Sequence, residues 1–324
     1  MIEAEMSRWA EEKGVPFAVA ELDILNVVRG KLEERRDGGA IDAGFYRENL
    51  AGFGYLSDCG VDRPEAVLVV SVPRPAHIVA CERGDGAFES IIPPTYHRYG
   101  EFFEDILAEL KRALGGGTAI GILKAPLKSL SVHMGLTVYG RNNVTYAPGF
   151  GSYHQLCGYV VGGEAGRMLR EAFGRARPEP AESSLELCRT CRACLKACPT
   201  AAIRGDRFLI SAEKCFTLIA ESRGALPDGI RTAGPNCLVG CLACQVVCPE
   251  NRGKLTYERL DVAFTDAETE ALLALGRREA AGKGLESGRT PDGVSPSLWV
   301  AIKEKFDRLR ISVDIEAAAR NLST

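Results

Sequence analysis

Eight cysteines hold most of the chemistry that can be read from this chain. Four stand in the run Cys188-x2-Cys191-x2-Cys194-x3-Cys198, closed by Pro199. Three more stand in Cys241-x2-Cys244-x3-Cys248, closed by Pro249, and Cys215 lies between the runs. Thiolates at these spacings suit two 4Fe–4S cubanes. A cubane offers four irons at tetrahedral corners, and a tight loop with Cys at every third position reaches three of them. In two-cluster proteins the Cys before Pro ligates the other cluster. The proline ends the ligand loop because it has no N–H to donate and fixes φ. A zinc ribbon uses paired Cys-x2-Cys knuckles and leaves the third Cys unexplained. A disulfide framework belongs to secreted chains, whereas Met1-Ile2-Glu3-Ala4-Glu5-Met6 is acidic, with no apolar signal region.

The remaining composition narrows the setting. The chain has 324 residues, 46% hydrophobic and 26% charged, which suits a globular protein of one large or two ordinary domains. A net charge of −3 argues against a nucleic-acid surface as its main theme. No apolar run is long enough for a membrane span. A reducing cytoplasm, where thiols stay free for metal, is the expected compartment.

These ligands need a scaffold, and the pattern ahead of them supplies one. Ile2, Met6, Trp9 and Ala10 share a helical face that Gly14 ends. Residues 16–20 suit a short strand, and Asp23 suits the N-cap of a second helix carrying Ile24, Val27, Val28 and Leu32. Ala66 to Val72 is a continuous apolar, β-branched run, read as a central strand covered on both faces. Residues 76–95 are expected to be an irregular loop broken by Gly84, Gly86, Pro93 and Pro94. A long amphipathic helix follows from Gly100 through Phe102, Phe103, Ile106, Leu107, Leu110 and Leu114. Residues 119–123 and 153–161 read as further strands. This alternation predicts an α/β (α+β) domain.

Residues 175–180 read as a linker. Beyond the cysteines, helices are expected over 266–280 and 297–309, with a Gly-rich loop over 282–295. The expected organisation is therefore an α/β domain over 1–177, a double 4Fe–4S ferredoxin-like domain over 178–255 and a helical extension over 256–324. Polar residues that could serve a pocket in the first part are Tyr96, His97, Arg98, Lys124, His133, Tyr139, Arg141, Asn142, Tyr153 and His154. Among these, Lys124 stands at the carboxyl end of a strand, where α/β sheets place ligands, and Arg141 follows the Gly140 turn, in a loop of the kind that carries sites.

Several blocks together resemble the epoxyqueuosine reductase family, iron–sulfur enzymes that also use cobalamin and are related to reductive dehalogenases. They are Ala125-Pro126 followed by Gly135-Leu136-x3-Gly140-Arg141-Asn142, then Gly151-Ser152-Tyr153 leading into a strand. The most specific are Ile210-Ser211-Ala212-Glu213-Lys214-Cys215 and Asn236-x3-Gly240-Cys241-Leu242-Ala243-Cys244, continuing through Cys248-Pro249-Glu250-Asn251. The resemblance covers most of residues 60–255. It implies a nitroreductase-like, cobalamin-binding-type domain ahead of the double-cluster domain. It also implies one cubane on Cys188, Cys191, Cys194 and Cys248, and a second on Cys198, Cys215, Cys241 and Cys244. A rival assignment puts Cys237 in place of Cys215, with a weaker x3 spacing to Cys241. Cys59, Cys81 and Cys157 are isolated and read as small buried hydrophobes.

By the same resemblance, Tyr139, Gly140, Arg141, Asn142, Gly151, Ser152 and Tyr153 would bind a cofactor; Lys124 and Arg141, on their strand-end and loop positions, are the candidate catalytic residues. The cofactor would lie beside the cubane of Cys198 and Cys215. Two departures bear on substrate. Leu123 and Lys124 stand where the family has an acid before Ala-Pro, and no tRNA-binding C-terminal extension is recognisable. The function implied is a reductase passing single electrons from two 4Fe–4S clusters to cobalamin or to a substrate other than a tRNA epoxide. The alternative is an electron-transfer or reductive-activation protein with no cobalamin. Expected partners are a ferredoxin or flavodoxin as donor and a small-molecule or protein-bound corrinoid acceptor, with no membrane.

Overall fold

The computed structural model describes residues 2–174, 184–221, 237–280 and 290–323. The expected linker over 175–180 and most of the Gly-rich loop over 282–295 lie outside the described residues. The chain packs as two bodies that are not consecutive in sequence. One contains residues 1–73 and 100–191, the other residues 74–99 and 192–324.

The first body is built on a four-stranded sheet in the order β1 (Phe17–Ala20), β2 (Pro64–Pro73), β8 (His154–Gly162), β5 (Ile120–Ile122). Every pair is antiparallel, with Val67 opposite both Ala20 and Val160. β2 is the apolar run read from the sequence, and its residues from Ala66 to Val70 are fully buried. Alternate residues serve opposite faces, as strand geometry requires. Ala66, Leu68 and Val70, with Cys157, Tyr159 and Val161 of β8, join the core under α1 (Ile2–Lys13), α4 (Tyr99–Ala113) and α6 (Gly163–Phe173). Val67, Val69 and Val160 face α2 (Ile24–Asp37) and α5 (Leu127–His133). Helices on both faces account for a central strand that is apolar throughout.

α4 shows how sequence becomes packing. Phe103, Ile106, Leu107 and Leu110 recur at helical spacing and all are buried. Tyr159 of β8 donates its hydroxyl to the Phe103 carbonyl at 2.9 Å, so the buried phenol does not lose a hydrogen bond. Phe103 therefore belongs to the core beneath the sheet, and Phe102 packs against the same cluster. On the other side, α3 (Ala43–Asn49) is capped by Asp42, which accepts from the Phe45 N–H at 2.8 Å. A hairpin of β6 (Val138–Tyr139) and β7 (Thr145–Tyr146) completes this body.

The second body corrects the expectation for 76–95. Its sheet has the order β4 (Gly86–Ile92), β3 (Ala76–Arg83), β9 (Tyr257–Phe264). Gly84 and Gly86 do not break a loop there; they form the turn of the β3–β4 hairpin, with Arg83 opposite Gly86. β9 runs parallel to β3, which joins a strand after the cysteines to one far before them. α10 (Asp266–Ala280), α11 (Pro296–Leu309) and α12 (Ile315–Ser323) complete the core, with Leu272, Ile302, Leu309 and Ala318 fully buried against Val79 and Cys81. Ser295 caps α11 by accepting from Leu298 N–H at 3.2 Å, and Pro296 occupies its first turn. The short helices α7 (Ala193–Ala197), α8 (Phe216–Glu221) and α9 (Ala243–Val246) carry or follow cysteines of the two runs.

Candidate functional site

The predicted cofactor residues of the first body gather around the β6–β7 hairpin. Gly140 N–H donates to Val144 C=O at 2.9 Å, and Asn143 N–H returns to Gly140 C=O at 3.0 Å. Asn143 takes a left-handed φ of +55°, which Asn tolerates better than most residues. Asn142 is buried; its amide nitrogen donates to the Tyr146 hydroxyl at 3.1 Å and its oxygen accepts from Val144 N–H at 3.3 Å. A Cβ on Gly140 would lie 2.5 Å from the Tyr146 ring and 2.6 Å from the Asn142 oxygen. The fold itself thus requires glycine at 140, with no cofactor involved. Burial pushes the Tyr139 hydroxyl up to about 12.

This hairpin also holds the first cysteine loop. Leu185 N–H donates to Tyr139 C=O at 2.9 Å, and Cys188 sits in the 3₁₀ turn Glu186–Arg189 that follows. Arg141 N–H donates to the Cys188 sulfur at 3.4 Å, while its guanidinium donates to the Cys188 carbonyl. Cys191 N–H donates to Leu187 C=O at 3.0 Å, closing the loop. The sequence placed Arg141 in a turn; its contact with a cysteine ligand was not legible there, because it depends on two segments 47 residues apart.

Gly151, Ser152 and Tyr153 lead into β8, and all three are buried. Gly151 takes φ +61° and exchanges backbone hydrogen bonds with Ala147 at 2.9 and 3.1 Å. His154 is tied at both nitrogens: Nδ1 to Ser71 Oγ at 2.9 Å and Nε2 to Thr145 C=O at 3.0 Å. A carbonyl only accepts, so Nε2 carries the proton, and burial lowers the ring's proton affinity. His154 is therefore a neutral tie between β2 and β7. His133 is likewise bonded to the Ser129 carbonyl of its own helix at 2.8 Å. Around them Ser131 and Thr137 share a buried hydrogen bond at 2.7 Å. This buried hydroxyl and amide layer escaped the sequence reading, because isolated Ser and Thr residues carry no periodic signal.

Lys124 stands apart. Its side chain is exposed, and its carbonyl accepts from Tyr55 N–H at 3.0 Å. The rule that ligands lie at the carboxyl ends of strands applies to parallel sheets. The sheet here is antiparallel, so that argument for Lys124 has no footing.

Tyr96, His97 and Arg98 belong to the second body. His97 donates through Nδ1 to the Leu309 carbonyl, 2.7 Å away, and its ring lies 4.5 Å from that of buried His77, tilted by 49°. Tyr96 donates to Glu221 and lies over Gly240. Burial, then Glu221 and the thiolates of Cys215 and Cys237, keep the Tyr96 hydroxyl protonated well above its ordinary range.

The remaining cysteines of the expected ligand sets are in this same body. α7 and α9, which carry Cys194 and Cys244, pack on each other. Cys198 follows α7 in extended conformation. Burial opposes its ionisation, but the N–H groups of Ile203, Thr200 and Ala202 outweigh that and hold the thiol below its ordinary value. Burial pushes Cys241 up to about 11, and the neighbouring thiolates of Cys215 and Cys198 push in the same direction. Cys248 precedes the 3₁₀ turn Pro249–Asn251, where Asn251 donates to Gln245 C=O at 2.8 Å and fixes the return of the chain. Cys237 is buried beside strand β4, with a backbone bridge to Ile91, and burial pushes it up to about 12. All twelve cysteines are free of disulfides. Among the described residues no three His, Cys, Asp or Glu close up around a single metal ion.

Residues 187–251 match the 4Fe-4S double cluster binding domain. Over 127 residues the chain is 32% identical to the epoxyqueuosine reductase of Bacillus subtilis (strain 168), a stretch covering 39% of this chain and 29% of that protein. It is 33% identical over 126 residues to the Staphylococcus aureus (strain NCTC 8325 / PS 47) enzyme of the same name, covering 39% and 30%. The chain resembles the epoxyqueuosine reductases. The matched stretch spans less than a third of either relative's length. In three dimensions the likeness extends over 99% of this chain and 80% of the epoxyqueuosine reductase structure from Streptococcus thermophilus, with a TM-score of 0.67 at 18% identity. A second epoxyqueuosine reductase structure, solved with an epoxyqueuosine-modified tRNA stem loop, gives 0.62 at 17% identity over 99% of this chain and 80% of that one. The mixed α/β fold with a double-cluster domain is thus shared. No helix among the described residues is long and apolar enough to cross a membrane.

Proposed function

We propose that this chain is an iron–sulfur reductase that passes single electrons from two 4Fe–4S clusters to an acceptor held in its α/β body. The observation that carries this reading is the double-cluster match over 187–251, which contains all eight of the proposed ligands. The proposed ligand sets are Cys188, Cys191, Cys194 and Cys248 for one cubane and Cys198, Cys215, Cys241 and Cys244 for the other. The segments 1–177, 178–255 and 256–324 are proposed as units of function rather than of packing.

The proposed acceptor is cobalamin or a similar planar cofactor, which when bound supplies a strongly reducing centre. The residues that the resemblance assigns to it lie in the 139–142 turn and the 151–153 strand entry; Asn142, Ser131 and Thr137, bonded within the protein, would shape the backbone around the ligand rather than donate to it. Phe102 and Phe103 pack in the core and leave those segments to the polar residues. The chain's own residues would orient the ligand through the 139–142 turn and exclude water behind Tyr153, while His154, neutral and doubly bonded, holds β2 to β7. Gly151 and Arg141 keep their proposed places in this site. Lys124, being exposed, would act only as a proton source from solvent.

A second reading, electron transfer with no cobalamin, is favoured by Leu123 and Lys124 where the resemblance calls for an acid. Titration of base-off cobalamin into anaerobic protein separates the two. A spectral change with retention through gel filtration supports the first, and neither supports the second. The proposed substrate is a small molecule or a protein-bound corrinoid, with the tRNA seen on a solved relative as the competing candidate. The proposed donor is a ferredoxin or flavodoxin, and the proposed compartment the cytoplasm.

A further inference from the structure

The turn expected to hold a cofactor makes its documented contact with a cysteine ligand instead. Arg141 reaches Cys188 twice, by its backbone N–H to the sulfur at 3.4 Å and by its guanidinium to the carbonyl. The neighbouring residue Tyr139 clamps the same loop through Leu185 N–H at 2.9 Å. Arg141 is partly buried, and its Nε lies buried without a partner. A guanidinium stays charged at every accessible pH, so this is a fixed positive charge held against one ligand loop.

We propose that Arg141 is a positioning residue for the cubane that takes Cys188, and that it raises the reduction potential of that cubane relative to the other. The physical reason is charge. A 4Fe–4S cluster with four thiolates gains one negative charge when it accepts one electron, and no bond is made or broken. Hydrogen bonds to the ligand sulfur and nearby positive charge stabilise the more negative form, so the potential rises. Electrons entering the pair would therefore collect on the Cys188 cubane, whose loop the 139–142 turn holds.

This inference rests on the reading of eight cysteines as ligands of two cubanes, and the test separates the two. Wild-type protein, Arg141→Gln, Arg141→Lys and Cys188→Ser are prepared anaerobically, and their midpoint potentials are read by electron paramagnetic resonance during redox titration with a chemical reductant. Arg167→Gln, which removes an exposed charge from α6 of the same body, serves as the control. The inference predicts that Arg141→Gln makes one potential more negative and leaves the other in place. The shifted signal should be the one that Cys188→Ser alters. Arg141→Lys, which keeps the charge, should return it most of the way, and Arg167→Gln should shift neither. Clusters present with both potentials unchanged in Arg141→Gln overturn the inference and leave the two-cluster reading standing. So does an equal shift of both, or Arg141→Lys behaving like Arg141→Gln. Wild-type protein without iron would overturn the two-cluster reading itself. If Arg141→Gln fails to fold, Arg141→Met, which also removes the charge, takes its place under the same criteria: a negative shift confined to the signal that Cys188→Ser alters supports the inference, and no shift, or an equal shift of both signals, overturns it.

Discussion

Replacing Gly240 with alanine tests how the second ligand run is held. Gly240 takes φ +61°, and a Cβ there would lie 2.6 Å from the Tyr96 hydroxyl oxygen and 2.8 Å from the carbon that bears it. Two costs follow. The left-handed backbone costs alanine about 1–2 kcal/mol relative to glycine. Relieving the contact requires Tyr96 to move, which breaks its hydrogen bond to Glu221 and exposes part of a buried ring. A hydrogen bond to a charged group contributes about 1.5–3 kcal/mol, so Gly240→Ala should destabilise the fold by roughly 3–5 kcal/mol. Cys241 is the next residue, so iron should be lost from one cluster before the chain unfolds. Denaturant melts and iron analysis of anaerobic protein measure both effects. Tyr96→Ala removes the obstruction, so the double variant should cost clearly less than the sum of the single ones. A Gly240→Ala protein within about 0.5 kcal/mol of wild type, with full iron, would refute this reasoning.

Other outcomes are equally specific. Cys215→Ala should lose or convert one cluster while Cys237→Ala keeps both; the reverse would favour the rival ligand set, and the double variant guards against Cys237 rescuing the first. Leu110, fully buried under the sheet, should cost about 2–5 kcal/mol on truncation to alanine, read from the denaturation midpoint. Burial, then His97 and Arg74, lower His77 to about 4 from 6.5. The unfolded chain therefore binds a proton at higher pH than the folded one, and the stability this contributes is present above pH 6.5 and lost as pH falls towards 4. The loss is at most about 3 kcal/mol. His77→Gln should flatten that acid limb, and an unchanged limb would remove His77 from it.

The two ligand runs were legible because metal spacing is local and needs no tertiary context. The central strand and the helix from residue 99 were legible for a similar reason: each is a single uninterrupted pattern. Residues 76–95 misled because glycines at 84 and 86 suit a hairpin turn as well as a loop, and only a partner strand decides between them. That partner, β9, carries Leu260, Val262 and Phe264 in alternation with Arg259, Asp261 and Ala263, a signal of period two that sits unnoticed between a cysteine run and a helix. Arg141 shows the limit most clearly. Its turn could be placed from Gly140 and Asn142, but its acceptor on Cys188 is set by a backbone pairing of Tyr139 with residues 184–185, which no local pattern encodes.

The central claim is that this fold holds two 4Fe–4S clusters that accept electrons one at a time. Iron and acid-labile sulfide analysis of anaerobically purified protein, followed on the same sample by stepwise reduction under electron paramagnetic resonance, tests it most directly. The account predicts about eight irons and about eight sulfides per chain, and two one-electron signals. A stable folded protein containing zinc alone, or a wild-type protein with about four irons and a single one-electron signal, would contradict it.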